Sequence, residues 1–145
     1  LRDVSPEDFQ RHKDKLPEVT RKRAEHVIYE NQRVLDSRDV LGARDFAKFG
    51  KLMDACHDSS RDLFEVSCPE LEAMVAAGRS APGSLCARMA GAGFGGCTVS
   101  LVEDESVEQF IETVKTDYQK RTGLHPSCYI CTAADGAGVV DTEQG

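Results

Sequence analysis

The chain has 145 residues, 40% of them hydrophobic and 30% charged, with a formal net charge of −7. That length suits one domain with a real core and is short for a complete two-substrate enzyme. The acidic balance excludes a general binder of nucleic-acid backbone, which needs a basic face, and no apolar run reaches the roughly 18–20 residues that cross a bilayer, so neither nucleic acid nor membrane is an expected partner.

The N-terminus, LRDVSPEDFQRHKDK, is polar from its first residues and carries no apolar core of a signal peptide. It starts on a leucine and runs directly into helical sequence, which reads as a cut in a longer chain. Val19, Ala24, Val27, Ile28, Asn31, Val34 and Leu35 recur at helical steps, predicting a long amphipathic helix over about 18–37 with Pro17 at its start. Asn31 falls on that stripe, where an amide is expected to be hydrogen-bonded in place or to meet another domain. His26 beside it is expected to be a core or boundary histidine. Asp45 suits the N-cap of a second helix with Phe46, Phe49, Met53 and Cys56 or His57 on one side. The polar cluster His57, Ser59, Ser60, Arg61 and Asp62 holds the residue types of a nucleophilic triad. Neighbours on one helix end rarely achieve triad geometry, and capping with a salt bridge is the expected reading.

A third helix starts near Ser67 and Pro69 and is expected to end at Gly78, followed by a loop, GRSAPGS. SLCARM then reads as a strand, GAGFGG as a turn and CTVSLV as a second strand. Acidic residues 103–105 precede a helix for which Ser106 and Gln109 form a capping-box pattern. Val107, Phe110, Ile111, Val114 and Tyr118 mark its inner face and Gly123 its end. PSCYICTA, residues 126–133, reads as a third strand, and the tail AADGAGVVDTEQG admits a short further one. Together these give one α+β domain over 1–145, helices followed by a small antiparallel β-β-α-β layer. The six cysteines, Cys56, Cys68, Cys86, Cys97, Cys128 and Cys131, are expected to be reduced in a cytoplasmic protein. Cys128 and Cys131 lie three apart on an expected strand and so face opposite sides, and no metal site is expected.

Gly91, Gly93 and Gly96 satisfy G-x-G-x-x-G, the spacing of a dinucleotide-binding fingerprint. That fingerprint requires a helix directly after the glycines, because the pyrophosphate rests on the helix N-terminus. Here a strand follows, so the reading fails, and a Walker loop fails for want of Gly-Lys-Ser/Thr. Two uses remain for four glycines in six residues: a tight turn or bulge, or a loop pressed against a ligand or another backbone.

ARMAGAGFGGCTVSLV resembles the third signature of the GHMP small-molecule kinases in the form found in galactokinases. FGKLMDACHDSSRDLFEVSCPELEAMV, RAEHVIYENQRV and AADGAGVV are similar to the flanking galactokinase segments, in the right order across most of 20–140. The resemblance implies the GHMP kinase C-terminal, ferredoxin-like domain of a kinase that uses ATP and Mg²⁺ to phosphorylate the anomeric hydroxyl of galactose. It implies that Gly91, Ala92, Gly93, Phe94, Gly95 and Gly96 form a wall of the cleft beside sugar and phosphates, with no catalytic residue in this chain. Ala90 stands where the family usually has a hydroxyl residue. The family's first signature and its Gly/Ser-rich phosphate loop occur nowhere in these residues; the resemblance assigns them, and most of the ATP and galactose contacts, to an N-terminal domain of the same protein that this chain lacks. The 145 residues alone are therefore expected to be inactive, with an exposed apolar face and modest stability. An N-acetylgalactosamine kinase or other GHMP sugar kinase, and a non-catalytic sensor of galactose and ATP, stand as the alternatives.

Overall fold

The computed structural model describes residues 1–136 and 138. A short helix α1 (Pro6–His12) is capped by Ser5, whose side chain accepts from the Asp8 N–H. It lays Phe9 against Ala24 and Ile28 of the long helix α2 (Glu18–Gly42), where Phe9 meets Tyr29 edge-on at 6.4 Å. α2 outruns the expected span by five residues, because nothing in Arg38–Gly42 breaks it before the chain turns at Ala43. Its inner stripe is narrower than the sequence suggests. Ala24, Ile28 and Val40 are buried, whereas Val19, Val34 and Leu35 are exposed, and so is Asn31. The expected buried amide is corrected to a surface one.

Asp45 caps α3 (Phe46–Ser59) by accepting from the Lys48 N–H at 3.0 Å, as the sequence leads one to expect. The helix does not stop at the polar cluster. It widens into a π-turn, Ser60–Phe64, that ends with Glu65 in the left-handed conformation at φ 59°. α4 (Pro69–Ser80) then carries the chain to the sheet. Gly78 does not end it. A Cβ there would stand 2.9 Å from Ala87 Cβ and 3.2 Å from Ser100 Oγ, so this glycine lets the helix backbone approach the sheet. The expected loop shortens to residues 81–83.

β1 (Ser84–Ala90) and β2 (Cys97–Val102) form an antiparallel pair in which Ala90 faces Cys97, with an irregularity between Ser84 and Cys86. β1 is the buried strand: Cys86, Ala87 and Met89 are each at most 3% exposed. After β2, a 3₁₀ turn (Asp104–Ser106) leads into α5 (Val107–Thr122). Because Ser106 is already in a helical conformation, its side chain makes no capping bond, and the expected capping box does not form. Gly123, at φ 74°, ends the helix as read from the sequence. Val114 of α5 packs with Ala77 and Ala81 of α4 in the second core cluster.

The helices-plus-antiparallel-sheet class stands, and the sheet has two strands among the described residues. Residues 126–133 are not a strand. Tyr129 and Ile130 are 85% and 69% exposed, and no ladder bonds join the segment to β2. Its aromatic and β-branched residues favour a pleated, half-buried surface, but the segment lies across a groove from β2 and does not pair with its open edge. Most of the tail, residue 137 and residues 139–145, lies outside the described residues.

α3 covers the outer edge of β1. Gly50, Asp54 and His57 lie at helical steps of four and three, and they meet Leu85, Ala87 and Met89 at strand steps of two. A Cβ at Gly50 would overlap the Leu85 carbonyl oxygen. Asp54 Oδ1 accepts from the Ala87 N–H at 3.2 Å, and His57 Nδ1 accepts from the Met89 N–H at 3.3 Å. One helical turn rises about 5.4 Å and two strand residues about 6.6 Å, near enough for successive turns to serve alternate N–H groups. The strand edge, otherwise a row of unpaired donors, is closed by side chains instead of a third strand.

Candidate functional site

The loop 91–96 joins β1 to β2 through a conformation that side chains resist. Gly91, Gly93, Gly95 and Gly96 have φ of 82°, 85°, 135° and 95°, and Phe94 is left-handed at 58°. Such a φ on a bulky residue is strained and persists only where the surroundings fix it. Here the fixing contact is visible: the Phe94 N–H donates to the Val66 carbonyl at 2.7 Å. Gly93 lies flat on the same carbonyl, and a Cβ there would overlap it and stand 2.7 Å from Met89 Cε. Gly93 is thus the docking glycine.

The other three glycines face open space, with nothing within 4 Å of the position a Cβ would take. Phe94 projects its ring outward, 74% exposed. Of the uses left open for the glycines, the close approach to another backbone is the one the contacts display. Gly93 serves a close backbone approach, and Gly91, Gly95 and Gly96 form a side-chain-free surface.

The ledge beneath the loop is held from α2. Arg23 donates to the Leu63 carbonyl and pairs with Glu65 at 2.5 Å, while Lys22 reaches the same carboxylate at 3.5 Å. The Arg23 hydrogen bond holds the Glu65 carboxyl below the usual range. His26 stacks on Phe64 at 4.6 Å and shares a 2.8 Å hydrogen bond with Ser59 Oγ. Burial lowers its pKa below 6.5. It is a boundary histidine, as expected.

In the polar cluster, Arg61 pairs with Asp58, Asp62 and Glu72. Its hydrogen bond to Asp62 holds that carboxyl low. Ser60 Oγ donates to the Cys56 carbonyl. These residues make salt bridges and local hydrogen bonds, with no nucleophile–base pair between Ser59 or Ser60 and His57. Arg79 of α4 binds Asp54 Oδ1 at 2.8 Å, Asp58 Oδ1 at 2.9 Å and the Asp54 carbonyl at 2.9 Å, tying α4 to α3 behind the sheet. No sequence signal pointed to Arg79, because its partners lie 21 and 25 residues away.

All six cysteines are free. Burial pushes the Cys56 thiol up to about 11 and also raises Cys86, which keeps both thiols protonated and unreactive. Among the described residues no group of three or more His, Cys, Asp or Glu could hold a metal ion, and no helix is long and apolar enough to cross a membrane.

Residues 37–120 match the family model described as GHMP kinases C terminal. The chain is 46% identical over 140 residues to a galactokinase of Roseiflexus sp., covering 97% of this chain and 36% of that protein. It is 41% identical to a Bacillus subtilis galactokinase, covering 94% of this chain and 35% of the other. Among solved structures, a Lactococcus lactis galactokinase complexed with galactose superposes with a TM-score of 0.81 at 36% identity, over 85% of this chain and 32% of that one. The L. major mevalonate kinase in complex with R-mevalonate gives 0.61 at 26% identity, over 80% and 34%. The chain therefore spans about a third of the length of these relatives. With the family model matching more than half of its residues and the same fold recurring in two solved kinases, the chain belongs to the GHMP kinases, as their C-terminal domain.

Proposed function

We propose that this chain is the C-terminal part of a galactokinase, in which loop 91–96 forms one wall of the cleft where galactose is phosphorylated to galactose 1-phosphate. The observation that carries the reading is the division of labour among the glycines. One is locked onto Val66 and three present bare backbone outward, on a chain whose relatives at 41–46% identity are galactokinases.

Magnesium-bound ATP supplies the phosphoryl group, and phosphoryl transfer is mainly a matter of positioning and charge neutralisation. The loop fits a neighbour of that kind, since Gly91, Gly95 and Gly96 leave room for a ligand or a facing loop to approach the main chain. This chain's own contribution is to hold that surface still and keep side chains and excess water out of the cleft. The contacts to ATP, Mg²⁺ and most of the sugar fall to an N-terminal domain of the same protein, and the isolated chain is inactive. A cytoplasmic location goes with six free cysteines.

The test is galactose-dependent ADP formation by the longer protein that carries this chain, beside the 145 residues alone. Turnover by the former and none by the latter is expected. A preference for N-acetylgalactosamine would move the reading to that kinase, and galactose binding without turnover would make the protein a sensor. Within the active protein, Gly93→Ala is expected to lower kcat about 100-fold, because an ångström of misplacement near a reacting centre costs that order.

A further inference from the structure

The two legs of the glycine loop are tied to one pair of side chains, the buried His57 and the half-buried Glu72. On one side, the Met89 N–H, two residues before Gly91, donates to His57 Nδ1 at 3.3 Å. On the other, Phe94 hangs from the Val66 carbonyl, and Ser67, the next residue, donates its hydroxyl to Glu72 Oε1. The same Oε1 lies 3.1 Å from His57 Nε2. His57 is completely buried. Nδ1 acts as acceptor, so the ring proton resides on Nε2. It faces Glu72, and Nε2 has no aligned hydrogen-bond partner among the described residues. The contact is thus electrostatic, a buried N–H dipole beside a carboxylate. Arg61 holds the other carboxylate oxygen at 3.4 Å.

From these contacts we infer that His57 and Glu72 are positioning residues that set the height and orientation of loop 91–96 over the cleft. A closed circuit runs from His57 to Met89, through the loop to Phe94, down to Val66 and Ser67, and back through Glu72. A circuit of this kind fixes both ends of a glycine-rich loop that has almost no contacts of its own. It also explains a fully buried histidine that forms no triad: the ring bridges the strand that enters the loop to the ledge on which the loop rests. The loop's catalytic importance rests on the galactokinase reading; its anchoring does not.

The experiment uses the longer protein that carries this chain, as wild type, Glu72→Gln, His57→Asn and His57→Phe. Asparagine places an oxygen near Nδ1 and can still accept from Met89; phenylalanine cannot. Nitrogen chemical shifts of the His57 ring are expected to show the proton on Nε2. In Glu72→Gln and His57→Phe, the Met89 and Phe94 amides are expected to exchange about tenfold faster than in wild type, while Tm stays within about 4 °C. The same variants are expected to lose about tenfold in kcat with galactose KM unchanged, and His57→Asn to recover much of the loss. Unchanged exchange at both amides, or a proton on Nδ1, would overturn the inference. So would a kcat loss matched by an equal loss of folded protein. If the wild type turns over no galactose, the galactokinase reading fails, and the ring shifts and amide exchange still decide the anchoring.

Discussion

The two outer edges of the sheet are treated in opposite ways. β1 ends against α3, where Gly50 removes a side chain so that the helix can touch the Leu85 carbonyl, and Asp54 and His57 take up the next two alternate N–H groups. β2 ends against a groove of about 410 Å³, whose lining includes Met74, Phe110 and Val114 on the inside and residues 128–133 on the outside. Val99 of β2 is 46% exposed, and the segment beside it contributes no ladder bonds. Strands need their edge donors satisfied, but the means differ. A side-chain-capped edge is fixed by the domain's own core, while the β2 edge remains accessible. The glycine loop is built on the fixed side, for Met89, the anchor of its first leg, is the last residue of β1 held by α3.

The contrast is broken most severely at Gly50. Alanine there drives a methyl group into a backbone oxygen that cannot swing aside, and α3 must lift from β1. A loss of about 3 kcal/mol is expected from overpacking of this kind, measured by urea denaturation. Asp54→Ala comes next. It strips the Ala87 N–H of its acceptor and removes one of the two carboxylates that Arg79 binds. The group left partly buried without a partner makes a loss of about 2 kcal/mol the expected result. If either variant unfolds at the wild-type midpoint, α3 does not close that edge.

Much of this architecture was legible in the sequence because it depends on local pattern. β1, β2 and α5 follow alternation and the 3.6-residue period, and the cap at Asp45 and the stop at Gly123 are single-residue signals with one dominant geometry. The position of the glycine loop between two strands was equally plain, and it disposed of the dinucleotide reading. What escaped was non-local. Gly78 looks like a helix stop and instead serves a packing contact with Ala87, nine residues on. Ser106 and Gln109 spell a capping box that a preceding 3₁₀ turn pre-empts. Asn31 sits on an apparent apolar stripe of which only part is covered. His57 drew notice for the wrong neighbours: its partners are Met89 and Glu72, not the serines beside it in the chain.

A smaller effect tests the ledge under the loop. His26 is stacked on Phe64 and bonded to Ser59, and burial, the largest influence on it, lowers its pKa below 6.5. Glu30 opposes that shift, and Arg33 and Arg23 reinforce it. The unfolded chain therefore takes up the proton first as pH falls. Stability from this group is complete above about 6.5 and declines as pH drops from there toward the folded value. A stability–pH profile of His26→Gln should be flatter than wild type over that interval. An identical slope would mean that the ring is solvated and that the ledge does not depend on it.

The smallest expected effect lies on the accessible side. Ile130 is 69% exposed and belongs to a segment that reads as a strand yet pairs with nothing. If β2's outer edge is free in solution, Ile130→Ser changes stability by less than about 0.5 kcal/mol, as exposed positions do, and the amides of 128–131 exchange at nearly unprotected rates. If the segment instead zips onto β2, the same variant would cost 1 kcal/mol or more through lost cross-strand packing, and alternate amides would be protected. The sheet would then gain the third strand that its β-branched and aromatic residues suggest, and the contrast between its edges would shrink to one of means: side chains on one side, backbone on the other. Because the groove separates this segment from α5 and β2, the first outcome is the expected one, and its near-neutrality is as informative as the large loss at Gly50.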